Sequence, residues 1–379
     1  VGQDPSMPAA CSLPIGHALI ASSSPADALP DTAACARDSL ARPSYPNNDA
    51  WTAIVLFLSN SIVASRLSIS GNFATWDEHL LGAREIVTIF YPIGEPKSLR
   101  AGLIDALKLQ PCDLPMMDGC ERWSTARGNS ALTCAIAVDA PAIYGGSLPG
   151  ARQTSLEALK KERGVPSAFG CNSTGEYPLA TKWYSLPMLV QPLLSRFDYW
   201  AKVDVDVCLR QRIRLSTELV KSGSWFMHTR LQQDNQMCER GLGDFMSSYT
   251  SKHTCCGTTE ALKWRTEGPY PLVAYSNFVA GWLGYWQSDQ VLFFAKKWHG
   301  WEGGWVHRWT DQQFWMPALR VTNVSEDRIK LWSHLRYHAF EHTKASENAC
   351  AVPHQALRNA SAGARRKVIG PNGRWQFQE

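Results

Sequence analysis

Residues 197–207 read Phe-Asp-Tyr-Trp-Ala-Lys-Val-Asp-Val-Asp-Val, an apolar run that closes on two carboxylates. Residues 199–207 have the length and composition of a buried strand. Because residues two apart on a strand face the same side, Asp204 and Asp206 would reach a single ion. Their oxygens suit a hard cation such as Mn²⁺ or Mg²⁺. The stretch therefore predicts a cation site at the carboxyl end of a strand, where open α/β sheets bind their ligands.

A cation held at this point has a definite chemistry. Its open coordination positions accept diphosphate oxygens, and its charge offsets the negative charge that develops on a departing nucleoside diphosphate. An Asp-x-Asp triplet alone is weak evidence, since solvated turns often contain one. The apolar lead-in strengthens it, because a buried strand would otherwise end in an unexplained charge cluster. We expect Asp198, six residues before Asp204, to be structural.

Short apolar runs on both sides of this stretch indicate an α/β fold. Strands are expected at residues 53–58, 85–91, 135–138, 225–227 and 273–275. The intervening segments are long enough for helical crossovers, one of them at residues 98–107, and residues 183–194 read as an apolar helix. Buried runs separated by crossovers predict a largely parallel central sheet flanked by helices.

Composition divides the chain into three parts. Residues 1–48 are rich in Pro, Ala, Ser and Asp without periodicity, as in a stem or linker. Residues 49–361 hold the strand and helix signals and form the expected catalytic domain. Residues 362–379 form a basic, Gly-containing tail that we expect to be mobile. Residues 110–178 are loop-rich with four cysteines, which predicts a disulfide-stapled insertion.

Charge and cysteine content restrict the function and the compartment. The 379 residues carry 38 basic and 34 acidic side chains, a balance that argues against nucleic-acid binding. The 11 cysteines lack a Cys-x-x-Cys spacing, which favours disulfides in an oxidising compartment, with at least one cysteine unpaired or intermolecular. Glycosylation sequons at Asn172, Asn323 and Asn359 agree with passage through the secretory pathway.

Membrane attachment is not decided by the sequence. No apolar run reaches the ~18 to 20 residues that span a bilayer. The chain begins at Val1 without Met, so a signal peptide or membrane anchor can precede it.

Tryptophan is abundant, with 16 residues, and seven of them lie between residues 282 and 315. Core packing is the ordinary role of such a cluster. The alternative is that one or two of these rings stack on a sugar or a nucleobase.

Two blocks of the chain resemble the fungal α-1,2-mannosyltransferases of glycosyltransferase family 15. Residues 197–207 are similar to that family's signature strand, in which an aromatic-rich run leads into an acidic-Pro-Asp triplet, and residues 182–194 to the basic-aromatic-Ser helix before it. Residues 275–278, Tyr-Ser-Asn-Phe, and 303–311, Gly-Gly-Trp-Val-His-Arg-Trp-Thr-Asp, resemble its Ser-Asn-Phe and Gly-Gly-aromatic-aromatic-Glu-Arg-Trp-Gly-Asp elements. The resemblance covers roughly residues 180–345.

This resemblance implies a GT-A fold and retaining transfer of mannose from GDP-mannose, with Mn²⁺, to a glycan or glycoprotein hydroxyl. Asp204 and Asp206 would hold the metal. Asp311 or Glu302 would bind acceptor hydroxyls, stabilise the positive anomeric carbon or, in an inverting enzyme, accept the proton. Contacts with donor or acceptor are implied for Asn277, Lys182, Arg308 and Trp309.

Several of these assignments have an ordinary alternative. Asn277 could fix a turn, Lys182 could be a surface lysine, and Asp311 could pair with Arg308. Asn60 is assigned by position only, because it follows the first strand, where a nucleotide-binding fold meets the base and ribose.

The chain departs from the family at the metal site. Asp204 stands where the family has Glu, and Val205 where it has Pro. His307 replaces the Glu of the Glu-Arg-Trp element, and the region of Trp315 aligns with a His that serves the metal. Replacement candidates spaced by four, and thus on one helical face, are His334, His338 and His342. Of these, His338 lies in a local match to the family and is preferred.

Two other classes of function compete with this one. A glycan-binding protein on a catalytically decayed glycosyltransferase scaffold would keep the Trp-rich cleft, but it would place no demand on both Asp204 and Asp206. A glycoside hydrolase also pairs two carboxylates, but it places them around the scissile bond. Two residues on the same strand cannot lie on opposite sides of a sugar.

Overall fold

The computed structural model describes residues 50–58, 72–92, 97–112, 119–136, 177–234, 238–253, 272–307, 309–333, 337–339, 366–369 and 375–378. The predicted stem at residues 1–48 lies outside the described residues, and so do Asn60 and Arg308.

The described chain contains both strands and helices. The strands are β1 (Thr52–Phe57), β2 (Glu85–Pro92), β3 (Gln110–Pro111), β4 (Cys120–Ser124), β5 (Ser130–Ile136), β6 (Tyr199–Val203), β7 (Val207–Leu209), β8 (Phe226–His228), β9 (Leu231–Gln232), β10 (Val273–Ala274), β11 (Phe278–Trp282), β12 (Ile329–Leu331), β13 (Tyr337–Ala339), β14 (Arg366–Ile369) and β15 (Trp375–Gln378). The α-helices are α1 (Asn72–His79), α2 (Lys97–Ala106), α3 (Tyr177–Trp183), α4 (Leu186–Leu189), α5 (Leu215–Ser222), α6 (Leu242–Lys252), α7 (Leu283–Trp286), α8 (Asp289–His299), α9 (Glu302–Val306) and α10 (Gln312–Val321).

A nine-stranded mixed sheet has the order β12-β8-β11-β6-β1-β2-β5-β4-β3. Strands β6, β1, β2 and β5 form a parallel block at its centre. Strand β11 runs antiparallel between β6 and β8. The expected α/β class and flanking helices are therefore confirmed, with a central sheet that is parallel in the middle and mixed at both sides.

The burial of strand β1 on both faces explains why its sequence does not alternate between apolar and polar residues. Ala53, Val55 and Phe57 enter one hydrophobic core. Ile54 and Leu56 enter a second core on the opposite face. Since every side chain of the strand is buried, a continuous apolar run is what a central parallel strand requires.

The tryptophan cluster mainly builds the first of these cores. The rings of Trp200 and Trp315 stack at 4.7 Å between centroids, and Trp286 meets Trp315 edge-on at 5.1 Å. All three side chains are fully buried. Trp301 is the exception, with 37% of the residue exposed. Core packing is thus the role of most of the cluster.

The prediction of one apolar helix over residues 183–194 is wrong. The segment forms the end of α3, then α4, and then a 3₁₀ helix at Pro192–Arg196. Pro187 and Pro192 each lie in the first turn of a new helix. A proline ring clashes with the carbonyl four residues earlier and lacks the N–H donor, which favours the start of a new helix over continuation of the previous one.

The cysteine-containing insertion is confirmed in its described part, but it is more regular than expected. It contains β3, β4 and β5. Strand β5 belongs to the parallel block, and β4 and β3 extend the sheet beyond it by antiparallel pairing. Cys120 and Cys134 lie opposite each other on β4 and β5 and form a disulfide. Cys112, Cys208 and Cys238 are also disulfide-bonded.

Two expectations near the carboxyl end need correction. His338 lies on β13, which pairs antiparallel with β7, and not on a helix. The predicted helical face is therefore wrong, and His334 and His342 lie outside the described residues. The basic tail, expected to be mobile, contains the paired strands β14 and β15. None of the helices in the described ranges is long and apolar enough to cross a bilayer.

The packing of β11 against tryptophan gives a stability test. A Cβ atom on Gly281 would collide with the indole of Trp286 and approach Trp200 Nε1 to 2.9 Å. We expect Gly281→Ala to lower the free energy of unfolding by about 1–3 kcal/mol, because the fully packed rings cannot retreat. Urea denaturation followed by tryptophan fluorescence measures the change.

Gly102→Ala is the matched control, since a Cβ atom there meets nothing within 4 Å. On the exposed face of α2 it should be neutral or stabilise by up to about 1 kcal/mol. Equal effects of the two substitutions would contradict the described packing.

Candidate functional site

Strand β6 ends at Val203, one residue before the acidic triplet. The backbone N–H of Val207 donates to the carbonyl of Asp204 at 2.9 Å, which closes a tight turn between β6 and β7. Asp204 and Asp206 therefore lie in a turn. The sequence pattern had predicted that they lie on a strand. Both are half-buried.

Helix α1 and the segment before β11 fix this turn from two sides. The amide of Asn72 donates to the carbonyl of Val205 at 2.7 Å, and Trp76 Nε1 donates to the carbonyl of Val207 at 2.8 Å. The N–H of Asp204 donates to the carbonyl of Asn277 at 2.8 Å. The backbone of the triplet is thus held rigidly at the carboxyl end of β6, as its proposed role requires.

Lys202 places a buried ammonium beside the turn. Its Nζ lies 2.8 Å from Asp204 Oδ1 and 2.8 Å from Asp311 Oδ2, and only 4% of its side chain is exposed. It also donates to the carbonyl and the hydroxyl of Ser276, at 3.0 and 3.1 Å. The Tyr184 ring covers it at 4.8 Å. The ammonium of Lys202 therefore joins the acidic turn to the start of α10.

These charges change the ionisation of the cluster. Burial alone would lower the pKa of Lys202, but the carboxylates of Asp204 and Asp311 outweigh it, and the pKa is raised above its ordinary value. Burial raises the pKa of Asp204 to about 6, with Asp206 and Asp311 adding to the rise and Lys202 opposing it. An additional positive charge near Asp204 and Asp206 would relieve this repulsion.

Asp311 precedes α10 and is 1% exposed. Its side chain makes no capping hydrogen bond, although Asp at this position commonly caps a helix. The Thr310 hydroxyl accepts the N–H of Gln312 at 3.3 Å instead, which leaves the Asp311 carboxylate to Lys202. The alternative partner, Arg308, lies outside the described residues.

Asn277 and Tyr275 form the other side of the turn. The amide of Asn277 donates to the Tyr275 hydroxyl at 2.8 Å, and the guanidinium of Arg230 stacks on the Tyr275 ring at 3.8 Å from its centroid. Asn277 is 6% exposed. Its described contacts hold the turn in place, in agreement with the structural alternative for this residue.

Lys182 and Trp309 are both buried, at 0% exposure. Lys182 Nζ lies 3.8 Å from the ring centroid of Trp298 and 4.6 Å from that of Trp305. Trp309 Nε1 donates to the carbonyl of Arg240 at 3.1 Å. Their described contacts are thus with the protein interior, and the expected contacts with donor or acceptor stay predictions.

Other sequence candidates are described only by their backbone or not at all. His338 is the register partner of Cys208, and Ala339 that of Val207, so β13 runs beside the strand that leaves the acidic turn. Glu302 begins α9, and its side chain lies outside the described residues. Asp198 is structural as expected, because its carboxylate accepts the N–H of Trp51 at 2.7 Å.

Sequence reasoning missed Lys202, which is the hub of the site. It appears in the printed segment as an ordinary lysine within a strand. A charged residue inside a fully buried apolar strand was the available signal, since such a charge needs a partner. The positions of Asp204 and Asp311 then supply that partner.

The turn meets part of what a divalent cation needs. Asp204 and Asp206 supply two hard oxygen donors on one rigid turn, which suits an ion that keeps positions open for other ligands. Within the described ranges no three His, Cys, Asp or Glu side chains are grouped as a ready metal site. A third donor would have to come from outside these side chains, and His338 stays a prediction for it.

Comparison with known proteins reveals similarity in structure only. No protein-family model and no curated sequence matches the chain. The mannosyltransferase Ktr4p from S. cerevisiae in complex with GDP matches with 14% identity and a TM-score of 0.56, over 77% of this chain and 71% of that one. Its structure without GDP gives 14% identity and 0.54, over 77% and 70%.

A third solved structure is core-mannan synthase A from Aspergillus fumigatus in an Mn/GDP form. It is 12% identical, with a TM-score of 0.53 over 81% of this chain and 77% of that one. These neighbours have the GT-A fold, and the chain shares it, which confirms the expected fold. Identity this low establishes the fold alone.

The buried Lys182 gives a pH-dependent stability test. Burial lowers its pKa well below the ordinary value, and the neighbouring titratable group is His299, whose pKa burial lowers to about 3. The unfolded chain therefore binds a proton at Lys182 that the folded chain does not. Folded stability is lost as pH falls from about 10 toward neutrality, by up to about 1.4 kcal/mol per pH unit.

Lys182→Met should remove this loss, so the variant gains stability over the wild type as pH falls through that window. Chemical denaturation at several pH values measures it, with Lys221→Met on the exposed face of α5 as the control. A variant that is less stable at every pH would instead mean that the tryptophan rings stabilise a charged ammonium.

Proposed function

We propose that the chain is a glycosyltransferase that moves a sugar from a nucleotide-sugar donor to a hydroxyl of a glycan or glycoprotein. The preferred reaction is retaining transfer of mannose from GDP-mannose. The observation that carries the proposal is the placement of Asp204 and Asp206 on one braced turn at the carboxyl end of a central GT-A strand. The GDP and Mn/GDP forms of the structural neighbours support this choice of donor and ion.

Asp204 and Asp206 would hold a divalent cation, Mn²⁺ or Mg²⁺, with His338 as a further candidate ligand. When bound, the ion offsets the charge that develops on the leaving diphosphate. The contribution of the chain is to fix both carboxylates before the donor arrives. The hydrogen bonds from Asn72 and to Asn277 do this without using either carboxylate.

Asp311 is the best candidate for the sugar side of the site. Its carboxylate is buried and held 2.8 Å from Lys202 Nζ, close to the acidic turn. A fixed negative charge there would stabilise positive charge at the anomeric carbon or accept a hydrogen bond from an acceptor hydroxyl. In a retaining reaction the leaving diphosphate oxygen can take the acceptor's proton, so no separate base is needed. Glu302 and Arg308 remain predictions.

A secretory location follows from the same proposal. The Cys120–Cys134 disulfide requires an oxidising environment to persist. The sequon at Asn323 is exposed, so a glycan could be attached there. The lumen of the ER or Golgi provides both the oxidising environment and the attachment of glycans. A membrane anchor preceding the chain would fit this location.

The alternative, a glycan-binding protein on a decayed scaffold, is favoured by two observations. One oxygen of Asp204 already contacts Lys202, and the described side chains provide no group of three metal ligands. Such a protein would bind sugar without turning over a donor.

The donor and the metal can be tested together by thermal shift. GDP, UDP and CMP are compared with and without Mn²⁺, and we expect GDP to raise the Tm only when Mn²⁺ is present. Asp204→Asn and Asp206→Asn should each abolish the metal-dependent part of the shift. Asp244→Asn, exposed on α6, is the control and should behave as wild type. If none of the nucleotides raised the Tm, with or without Mn²⁺, the proposed glycosyltransferase activity would be contradicted.

Turnover and stereochemistry form a separate test. With GDP-mannose and mannose-containing acceptors, NMR of the product should show the anomeric configuration of the donor. Asp311→Asn should lower kcat by about 100-fold, because the fixed charge at the reacting carbon is lost. Inverted product would contradict the retaining assignment, and glycan binding without turnover would favour the alternative.

A further inference from the structure

Lys202 makes more contacts than neutralising one carboxylate requires. Its ammonium is held from one side by the carbonyl and hydroxyl of Ser276, both close to 3 Å away. From the other side it meets Asp204 Oδ1 and Asp311 Oδ2 at the same distance, 2.8 Å. The ring of Tyr184 closes over it, and the Tyr184 hydroxyl is fixed by the N–H of Phe57 at 2.9 Å.

These contacts divide the three carboxylates of the site. Asp204 has one oxygen on the ammonium, which leaves its other oxygen for a ligand outside the pair. Asp311, at 2% side-chain exposure, is held by the same ammonium inside the protein. Asp206 makes no ion pair with Lys202 in the described contacts. The three acids are therefore not equivalent.

We propose that Lys202 is a positioning residue that sets the composition of the metal shell. It limits Asp204 to one ligand oxygen and keeps Asp311 out of the shell, so that Asp311 stays available to the sugar or the acceptor. This inference rests on the proposed function, because it assumes that Asp204 and Asp206 hold a divalent cation. It assigns to one buried lysine the separation of the metal-binding carboxylates from the sugar-facing one.

Charge supports this division. The ammonium of Lys202 lies 2.8 Å from Asp204 Oδ1 and 2.8 Å from Asp311 Oδ2, so it offsets negative charge on both acids. Without the ammonium, Asp204 would be free to use both oxygens. The unaided affinity for the metal would then rise, since an ammonium a few ångströms from the ion opposes its binding.

The experiment measures Mn²⁺ affinity by electron paramagnetic resonance, with and without GDP. The proteins are the wild type, Asp311→Asn, the double variant Lys202→Met with Asp311→Asn, and the control Lys221→Met. The double variant removes one positive and one negative charge together, so the buried net charge is unchanged and folding is preserved. Circular dichroism and Tm verify the fold of each protein.

Without GDP, Asp311→Asn should lose less than about tenfold in Mn²⁺ affinity relative to the wild type, because it loses a nearby negative charge but no ligand. The double variant should bind Mn²⁺ at least about tenfold more tightly than Asp311→Asn, from which it differs only by the ammonium, because Asp204 is released and the opposing charge is gone. Lys221→Met should match the wild type.

Two results would overturn the inference alone. One is a tenfold or greater loss of Mn²⁺ affinity in Asp311→Asn, which would make Asp311 a ligand. The other is a folded double variant with the same Mn²⁺ affinity as Asp311→Asn, which would reduce Lys202 to a packing role. Absence of Mn²⁺ binding by every protein, with or without GDP, would overturn the proposed metal site as well as this inference.

Discussion

The buried ammonium of Lys202 is the contact on which the arrangement of the site depends. It joins the end of β6 and the acidic turn that follows it to the segment before β11 and to the start of α10, which are both far away in sequence. Transferring one ion from water to such a place is unfavourable by several kcal/mol unless partners surround it. Asp204, Asp311 and Ser276 supply those partners. The site therefore forms only when the sheet and α10 are already packed together.

The sheet explains why these partners meet. Residues two apart on β6 share a face, so Lys202 lies on the side of Trp200. Trp200 stacks on Trp315 of α10, and this contact brings the start of that helix, with Asp311, over the end of the strand. On the opposite face, α1 holds the turn through Asn72 and Trp76. The two cores thus position the two halves of the site.

Much of the fold could be predicted from local pattern, because buried parallel strands such as β1 and β2 are continuous apolar runs. The acidic triplet was found in the same way, as charge at the end of such a run. The remaining features depend on tertiary contacts. Nothing in the sequence near Lys182 distinguishes a lysine buried against tryptophan rings from a surface lysine, because Trp298 and Trp305 are over a hundred residues away. His338 was misassigned because a spacing of four fits a helix, whereas its pairing with β7 is non-local.

The account depends on a cation held at the acidic turn together with a nucleoside diphosphate. Crystals grown with Mn²⁺ and GDP, measured at the manganese absorption edge, locate the ion by its anomalous signal. The account predicts one peak in contact with a carboxylate oxygen of Asp204, with Asp206 and with diphosphate oxygens, while Lys202 stays on Asp311. Bound GDP without a peak at the turn, or a peak elsewhere in the protein, would contradict it.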